Sequence, residues 1–220
     1  IFVSLSFSFY LFEAYLIVND SSLRKAKIYK KKTGNIYDKR SKLEINNDLK
    51  KNDKEITVTI FPFKHLNKSN SNFIPLSGKS NSKTIFCNEN GYYAIYKSDR
   101  YGFNNPDEEW DKTEVEYLLV GDSFVHGACV NRPNDISSKL RNLSNKSVIS
   151  LGYGSNGPIL EYASLREFFP DRVKNVLWFY YEGNDVKNLS DELRNIFLKK
   201  YINNINFSQN LKKKQKLVDN

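Results

Sequence analysis

The segment EYLLVGDSFVHGACV, residues 116–130, decides the fold of this chain. Its apolar run YLLV (117–120) predicts a buried β-strand, and that strand leads directly into Gly121-Asp122-Ser123. Glycine permits a sharp turn from strand to helix, and Asp122 is expected to cap the helix that follows. Ser123 would then lie at the helix N-terminus, where free N–H groups and the helix dipole favour a developing negative charge.

Strands and helices alternate through the rest of the chain. Two further apolar runs, SVISL (147–151) and NVLWFYY (175–181), predict strands, and PILEYASLREFF (158–169) predicts a helix between them. This alternation predicts a parallel sheet with helices on both faces. NVLWFYY is apolar throughout, which is typical of a strand covered on both faces. A last helix is expected to begin at an N-cap, Ser190, and to turn Ile196 inward.

Three glycine-bearing segments follow the three predicted strands: GDSF (121–124), GYGSNG (152–157) and EGND (182–185). Because parallel strands end at one edge of their sheet, we expect these segments to converge there. A serine surrounded by backbone N–H groups and an asparagine amide has the groups that acyl transfer requires, a nucleophile and an oxyanion hole.

These segments, in this order, resemble the first three sequence blocks of the SGNH (GDSL-type) hydrolase family, over roughly residues 114–200. The resemblance implies a flavodoxin-like, three-layer fold and hydrolysis of an ester, often an acyl group on a lipid or a carbohydrate. It implies Ser123 as the nucleophile and Asn184 as the side-chain oxyanion donor. It implies Gly154 as the backbone oxyanion donor, with Ser155 as the alternative, since only an N–H is needed.

The resemblance also implies a late DxxH block that carries a histidine base, and the sequence has no histidine after Asp185. Its two histidines are His65 and His126. His126, three residues after Ser123, is expected to pack or hydrogen-bond behind the site rather than to act as the base. We therefore expect residues 114–220 to be a hydrolase domain truncated before its fourth and fifth strands, and the fragment to be inactive alone.

The N-terminal part of the chain divides into two segments. Residues 1–18 are apolar apart from serines and Glu13, and they predict a transmembrane or signal-anchor helix. The side of the membrane is not readable from the sequence, and only the family resemblance favours an extracytoplasmic domain. Residues 19–113 are expected to form a polar linker and a small β-rich extension, with strands in 56–63 and on either side of an Asn-Gly turn.

The composition limits the kinds of partner. The net charge is +9, from 34 basic and 25 acidic residues, and the lysines cluster at 25–32, 50–54 and 212–216, in segments expected to be loops. They are not interleaved with stacking aromatic residues, so no nucleic-acid partner is predicted. Cys87 and Cys129 have no zinc-type spacing and would pair only if the fold brought them close, so no metal or cofactor is predicted.

Two classes of function remain open at this point. The first is a membrane-tethered esterase that acts on a small-molecule or glycan ester, or an O-acyltransferase that uses the same groups. The second is a non-catalytic SGNH-like domain that binds a glycan or a protein.

Overall fold

A computed structural model describes residues 2–18, 21–66 and 73–220. Ile1, residues 19–20 and residues 67–72 of the predicted segments lie outside the described residues. The helices are α1 (Phe2–Val18), α2 (Ser21–Thr33), α3 (Lys42–Lys50), α4 (Ser123–His126), α5 (Ile136–Ser144), α6 (Pro158–Phe168), α7 (Asp185–Glu192), α8 (Ile196–Asn203) and α9 (Gln215–Asp219). The strands are β1 (Thr57–Val58), β2 (Lys83–Ile85), β3 (Ile95–Lys97), β4 (Val115–Val120), β5 (Val148–Ser150) and β6 (Val173–Trp178).

The protein is of the α/β class, with an all-parallel sheet in the order β5-β4-β6. Side chains alternate between the two faces of each strand. Leu118 and Ile149 lie in the core cluster that contains α6, whereas Leu119 and Val148 lie in the cluster that contains side chains of α5. The sheet is therefore the middle of three layers, with β4 at its centre, as the alternation of strand and helix predicted.

The segment before β4 forms a second, smaller sheet, in which β2 pairs parallel with β1 and antiparallel with β3. The Asn-Gly turn between β2 and β3 is confirmed, with Gly91 at a φ of +86°. The strand predicted at 56–63 is only Thr57–Val58, because a 3₁₀ helix begins at Pro62. This extension contributes Leu76 and Phe103 to the core cluster beneath α6, so it packs directly on the larger sheet.

Two of the three lysine-rich segments do not form the expected loops, whereas 50–54 is a turn after Lys50, the last residue of α3. Residues 25–32 lie within α2, and 212–216 lie in a 3₁₀ helix and the start of α9. Between them, α3 begins with a capping box, in which the side chains of Ser41 and Glu44 each accept from the other's backbone N–H. Lysine has good helix propensity, so a polar run without glycine or proline is compatible with a helix as well as with a loop.

Two predictions about the end of the parallel sheet are wrong. β6 is an edge strand among the residues described, and the side chains of Val176 and Trp178 are 42% and 46% exposed. An apolar run indicates a strand, but it does not show whether both of its edges and faces are covered. The helix expected after Ser190 is instead two helices, and the N-cap of the second is Asn195, which leaves Ile196 80% exposed.

Cys87 and Cys129 form a disulfide, with their Cα atoms 5.2 Å apart. The bond joins the connection between β2 and β3 to the turn that follows α4. Sequence spacing could not reveal this pairing, because it depends on how the extension packs against the larger sheet.

The predicted N-terminal helix is present as α1. None of the helices in the described ranges combines the length and the hydropathy needed to cross a membrane.

Candidate functional site

Ser123 begins α4 immediately after the central strand. Asp122 is the N-cap of this helix, and its carboxylate accepts from the Phe124 N–H at 3.0 Å, so the predicted cap is confirmed. A Cβ on Gly121 would lie 2.6 Å from a methyl carbon of Val125 and 3.1 Å from the carbonyl oxygen of Phe179. The chain therefore leaves β4 where only glycine fits. α4 is a single turn, so its dipole adds little, and any oxyanion must be bound by individual N–H groups.

The structure brings Ser123 and Asn184 to one carboxylate. The Ser123 hydroxyl donates to Oδ2 of Asp122 at 3.3 Å, and Nδ2 of Asn184 donates to the same oxygen at 3.5 Å. Both residues are half-buried. An amide nitrogen has two N–H groups, so Asn184 keeps one for another acceptor. Asp122 thus orients a nucleophile and an amide donor at the same time.

The glycine turn after β5 is held from two sides. The Gly154 N–H donates to Nδ1 of His126 at 3.0 Å, and the Gly157 N–H donates to Oε1 of Glu192 at 2.7 Å. The expected role of Gly154 as oxyanion donor meets an obstacle here, because its N–H already serves a buried imidazole. In the described part of the chain the Ser155 N–H has no hydrogen-bond partner, and Ser155 lies at a φ of +63°.

The position of the turn relative to α4 follows from strand pairing. The Tyr153 N–H donates to the carbonyl oxygen of Gly121 at 3.3 Å, which extends the pairing of β4 and β5 into the two loops. Ser155 and Ser123 each lie two residues beyond this bond. Of the turn's N–H groups in the described residues, that of Ser155 is the one without a hydrogen-bond partner.

His126 is buried and serves the structure. Because its Nδ1 accepts from Gly154, its Nε2 carries the proton and donates to the Tyr96 hydroxyl at 2.8 Å. Its ring stacks on that of Tyr153, with centroids 4.4 Å apart, and lies 3.9 Å from that of Phe86. Burial lowers the pKa of His126 to about 3, so the ring is neutral. Both nitrogen atoms are engaged away from Ser123, as expected for packing behind the site.

His65 does not serve Ser123 either. It ends the 3₁₀ helix Pro62–His65 and lines a cavity of about 550 Å³ between β1 and the C-terminal α9. Ser123 is not among the residues that line this cavity. Neither histidine of the sequence is therefore placed to take the proton of the Ser123 hydroxyl.

Buried acids lie around the site, and sequence reasoning missed their role. Glu192 accepts from the N–H groups of Gly157 and Ile159, which caps α6, and burial raises its pKa to about 7. Asp185 accepts from the Tyr181 N–H at 2.6 Å, and burial raises its pKa as well. Nothing in the sequence around these acids distinguishes them from solvated residues on a helix surface.

Glu161 of α6 belongs to the same group. It accepts from the indole N–H of Trp178 at 2.6 Å, and burial raises its pKa to about 8. Nearby acids, among them Asp185 and Asp122, add to that rise.

Two asparagines present polar atoms without partners. Asn156 in the glycine turn is fully buried, and both its amide nitrogen and its amide oxygen lack hydrogen bonds within the described residues. Oδ1 of Asn184 is also buried and unpaired there. Buried amides normally have partners, but Asn156 has no accessible surface, so a ligand in solvent does not reach its amide in this conformation. In the sequence, the only feature that pointed to Asn156 was its position in the glycine-rich segment GYGSNG (152–157).

Comparison of the chain with protein-family models, with curated proteins and with solved structures gives no significant match.

Proposed function

We propose that this chain carries the nucleophile and the oxyanion hole of an SGNH-type ester hydrolase. The observation that supports this function best is the meeting of the Ser123 hydroxyl and the Asn184 amide on the carboxylate of Asp122. The strand order adds support. In a flavodoxin-like sheet the first strand lies between the second and the third, and ligands bind where the loops of the first and third strands diverge. Ser123 follows β4 and Asn184 follows β6, which are those two strands here.

In the proposed reaction Oγ of Ser123 attacks the carbonyl carbon of an ester, and the carbonyl electron pair moves onto oxygen. The N–H groups of Ser123 and Ser155 and the free N–H of Asn184 donate to that oxyanion. A diffusible base takes the Oγ proton and returns it to the departing alcohol as the C–O bond breaks, which leaves an acyl group on Ser123. Water then releases the acid, or a sugar hydroxyl accepts the acyl group in the acyltransferase variant.

The proton of Ser123 limits the rate of this chain. Its hydroxyl donates only to Asp122, and neither histidine reaches it, so the hydroxyl stays protonated at neutral pH. The kcat of a serine enzyme that loses its base typically falls by about a million-fold. The rate enhancement that remains comes from the oxyanion hole and from substrate binding. We expect slow turnover that added imidazole accelerates, because a small diffusible base can replace the missing side chain.

The test is acetylation by 4-nitrophenyl acetate, measured with and without imidazole, with the adduct located by mass spectrometry. The chain should gain an acetyl group on Ser123 in an imidazole-dependent way. Ser123→Ala should lose the adduct, and Asn184→Ala should slow its formation about 100-fold. Ser155→Ala, which keeps the backbone N–H, is the matched control and should react like the unaltered chain. An equal imidazole-dependent rate for Ser123→Ala would refute the assignment.

A second candidate is an SGNH-like domain that binds a glycan or a protein without catalysis. The engagement of both His126 nitrogen atoms with Tyr96 and Gly154 favours it, because neither nitrogen is left to act as a base. This reading predicts glycan binding together with the absence of any acyl adduct on Ser123.

We also propose that the domain is tethered to a membrane through α1 and lies on its extracytoplasmic side. The Cys87–Cys129 disulfide supports this side, because structural disulfides persist mainly in oxidising compartments. The substrate class that fits is an acyl or acetyl ester on a carbohydrate or a lipid. Alkylation of membrane preparations before and after reduction tests the location, since a cytoplasmic domain would carry two free thiols.

A further inference from the structure

α2 is strongly basic, and within the described residues it has no acidic partner. Its sequence SSLRKAKIYKKKT holds six lysines and arginines and no acid. All six side chains are exposed, and none forms an ion pair within the described ranges. Some other cations of the protein are neutralised, since Arg40, Arg100 and Lys174 each contact two carboxylates. The positive charge of α2 therefore faces solvent uncompensated.

The geometry of α2 directs this charge away from the fold. The helix packs through Tyr29, whose ring centroid lies 5.7 Å from that of Tyr37. Lys27, Lys30 and Lys31 are spaced i, i+3 and i+4, so they are neighbours on one side of the helix. At about 3.6 residues per turn that side is opposite Tyr29. The three lysines form a basic stripe that no part of the described protein covers.

The occupant of this stripe is indicated by the helix before it. α1 ends at Val18 and α2 begins at Ser21. Large apolar side chains of α1, from Leu5 to Leu16, are between 50% and 72% exposed. An anionic bilayer can bind both helices, because its headgroups attract the lysines of α2 and its acyl chains bury the apolar side chains of α1. A nucleic acid would neutralise the lysines and leave the apolar side chains in water.

We infer that the basic stripe of α2 binds the anionic headgroups of a lipid bilayer in which the apolar side chains of α1 are buried. The inference does not depend on the ester-hydrolase proposal, because none of these residues belongs to the Ser123 site. It goes beyond a tether by assigning the protein a preference among membranes. Anionic lipid would hold the described domain with α2 against the surface, at a fixed side of the bilayer.

The test uses the whole chain and measures its partition onto sedimented vesicles of phosphatidylcholine, with or without about a third of phosphatidylglycerol. The variant replaces Lys27, Lys30 and Lys31 by glutamine. Each lysine near an anionic surface adds about a factor of 5 in binding, so the triple variant should bind anionic vesicles roughly 100-fold more weakly. Its partition onto neutral vesicles should be unchanged, because α1 is intact.

The matched control carries the same loss of charge elsewhere, as Lys112→Gln, Lys139→Gln and Lys146→Gln, at exposed positions without ion pairs in the described structure. This control should still bind anionic vesicles more strongly than neutral ones, by the same factor as the unaltered chain. An equal loss in the control would show that only net charge matters, and the absence of any gain for the unaltered chain would also overturn the inference. A duplex DNA arm separates the other partner: loss of DNA binding in the α2 variant, with its vesicle gain intact, would indicate a nucleic-acid surface instead.

Discussion

Glu161→Gln should make the stability of this protein less sensitive to alkaline pH. Glu161 is buried in α6, one of its oxygens accepts from the Trp178 indole, and the other has no partner within the described residues. Burial raises its pKa from 4.5 to about 8, and the charges of Asp185 and Asp122 contribute. No basic side chain forms an ion pair with it in the part of the chain described, so ionisation leaves a buried charge uncompensated.

The sign of the effect follows from proton binding. Between about pH 4.5 and pH 8 the folded protein keeps a proton on Glu161 that the unfolded chain has released. The folded state binds more protons, so the free energy of unfolding falls as pH rises through this window. A pKa difference of about 3.5, at about 1.36 kcal/mol per unit of pKa, corresponds to roughly 5 kcal/mol between the two ends of the window.

The assay is urea unfolding followed by circular dichroism at about pH 5 and about pH 8.5. Glutamine keeps an oxygen for the Trp178 N–H and cannot ionise. At the lower pH the two proteins should have similar stability, and at the higher pH the variant should be more stable by several kcal/mol. Glu192, whose pKa burial raises to about 7, contributes a loss of stability over an overlapping pH range in both proteins. Its negative charge also adds to the rise in the pKa of Glu161, so the difference between the two proteins includes this coupling.

Glu167→Gln in the same helix is the matched control. Its carboxylate accepts from the backbone N–H groups of Gln209 and Leu211 and from the Tyr201 hydroxyl. This substitution should destabilise the fold at both pH values, because it removes an acceptor from a satisfied network. If Glu161→Gln gave the same stability difference at both pH values, Glu161 would be ionised or hydrated in the fold, and the reasoning from burial would be refuted.

Three further outcomes are expected. Replacing Cys87 and Cys129 by serine should destabilise the fold by up to about 4 kcal/mol, from the entropy of a loop closed over 42 residues, and reductant should then have no further effect on its Tm. His126→Phe should cost about 3 kcal/mol by leaving the Gly154 N–H and a tyrosine hydroxyl unpaired. It should also remove the loss of stability below about pH 6.5, where the unfolded chain binds a proton that the buried ring does not, and an acid limb unchanged in urea titrations would contradict this. Gly152→Ala should lower the free energy of unfolding by about 3 kcal/mol or more in the same titrations. The reason is that its Cβ would lie 2.5 Å from the backbone carbonyl carbon of Val125, which cannot move aside. A loss below about 1 kcal/mol would show that the turn can shift to make room.

Only part of the candidate site could be predicted from the local sequence pattern. Ser123 and Asn184 could be selected from the sequence because each follows an apolar run, and parallel strands end at one edge of a sheet. The sequence favoured Gly154 over Ser155 as the oxyanion donor, but it could not show that the Gly154 N–H donates to His126. The orientation of that imidazole is set by Tyr96, from a different part of the chain.

The sequence by itself determined the three strands of the parallel sheet, the helix α6, the Asp122 cap and the order of the glycine-bearing loops. These features depend on side-chain periodicity and on turns, which act over a few residues. Only the tertiary structure decided the Cys87–Cys129 pair, the exposure of β6, the neutral His126 and the buried acids. Each of these depends on which distant segments pack together, because burial and hydrogen-bond partners are properties of the assembled core.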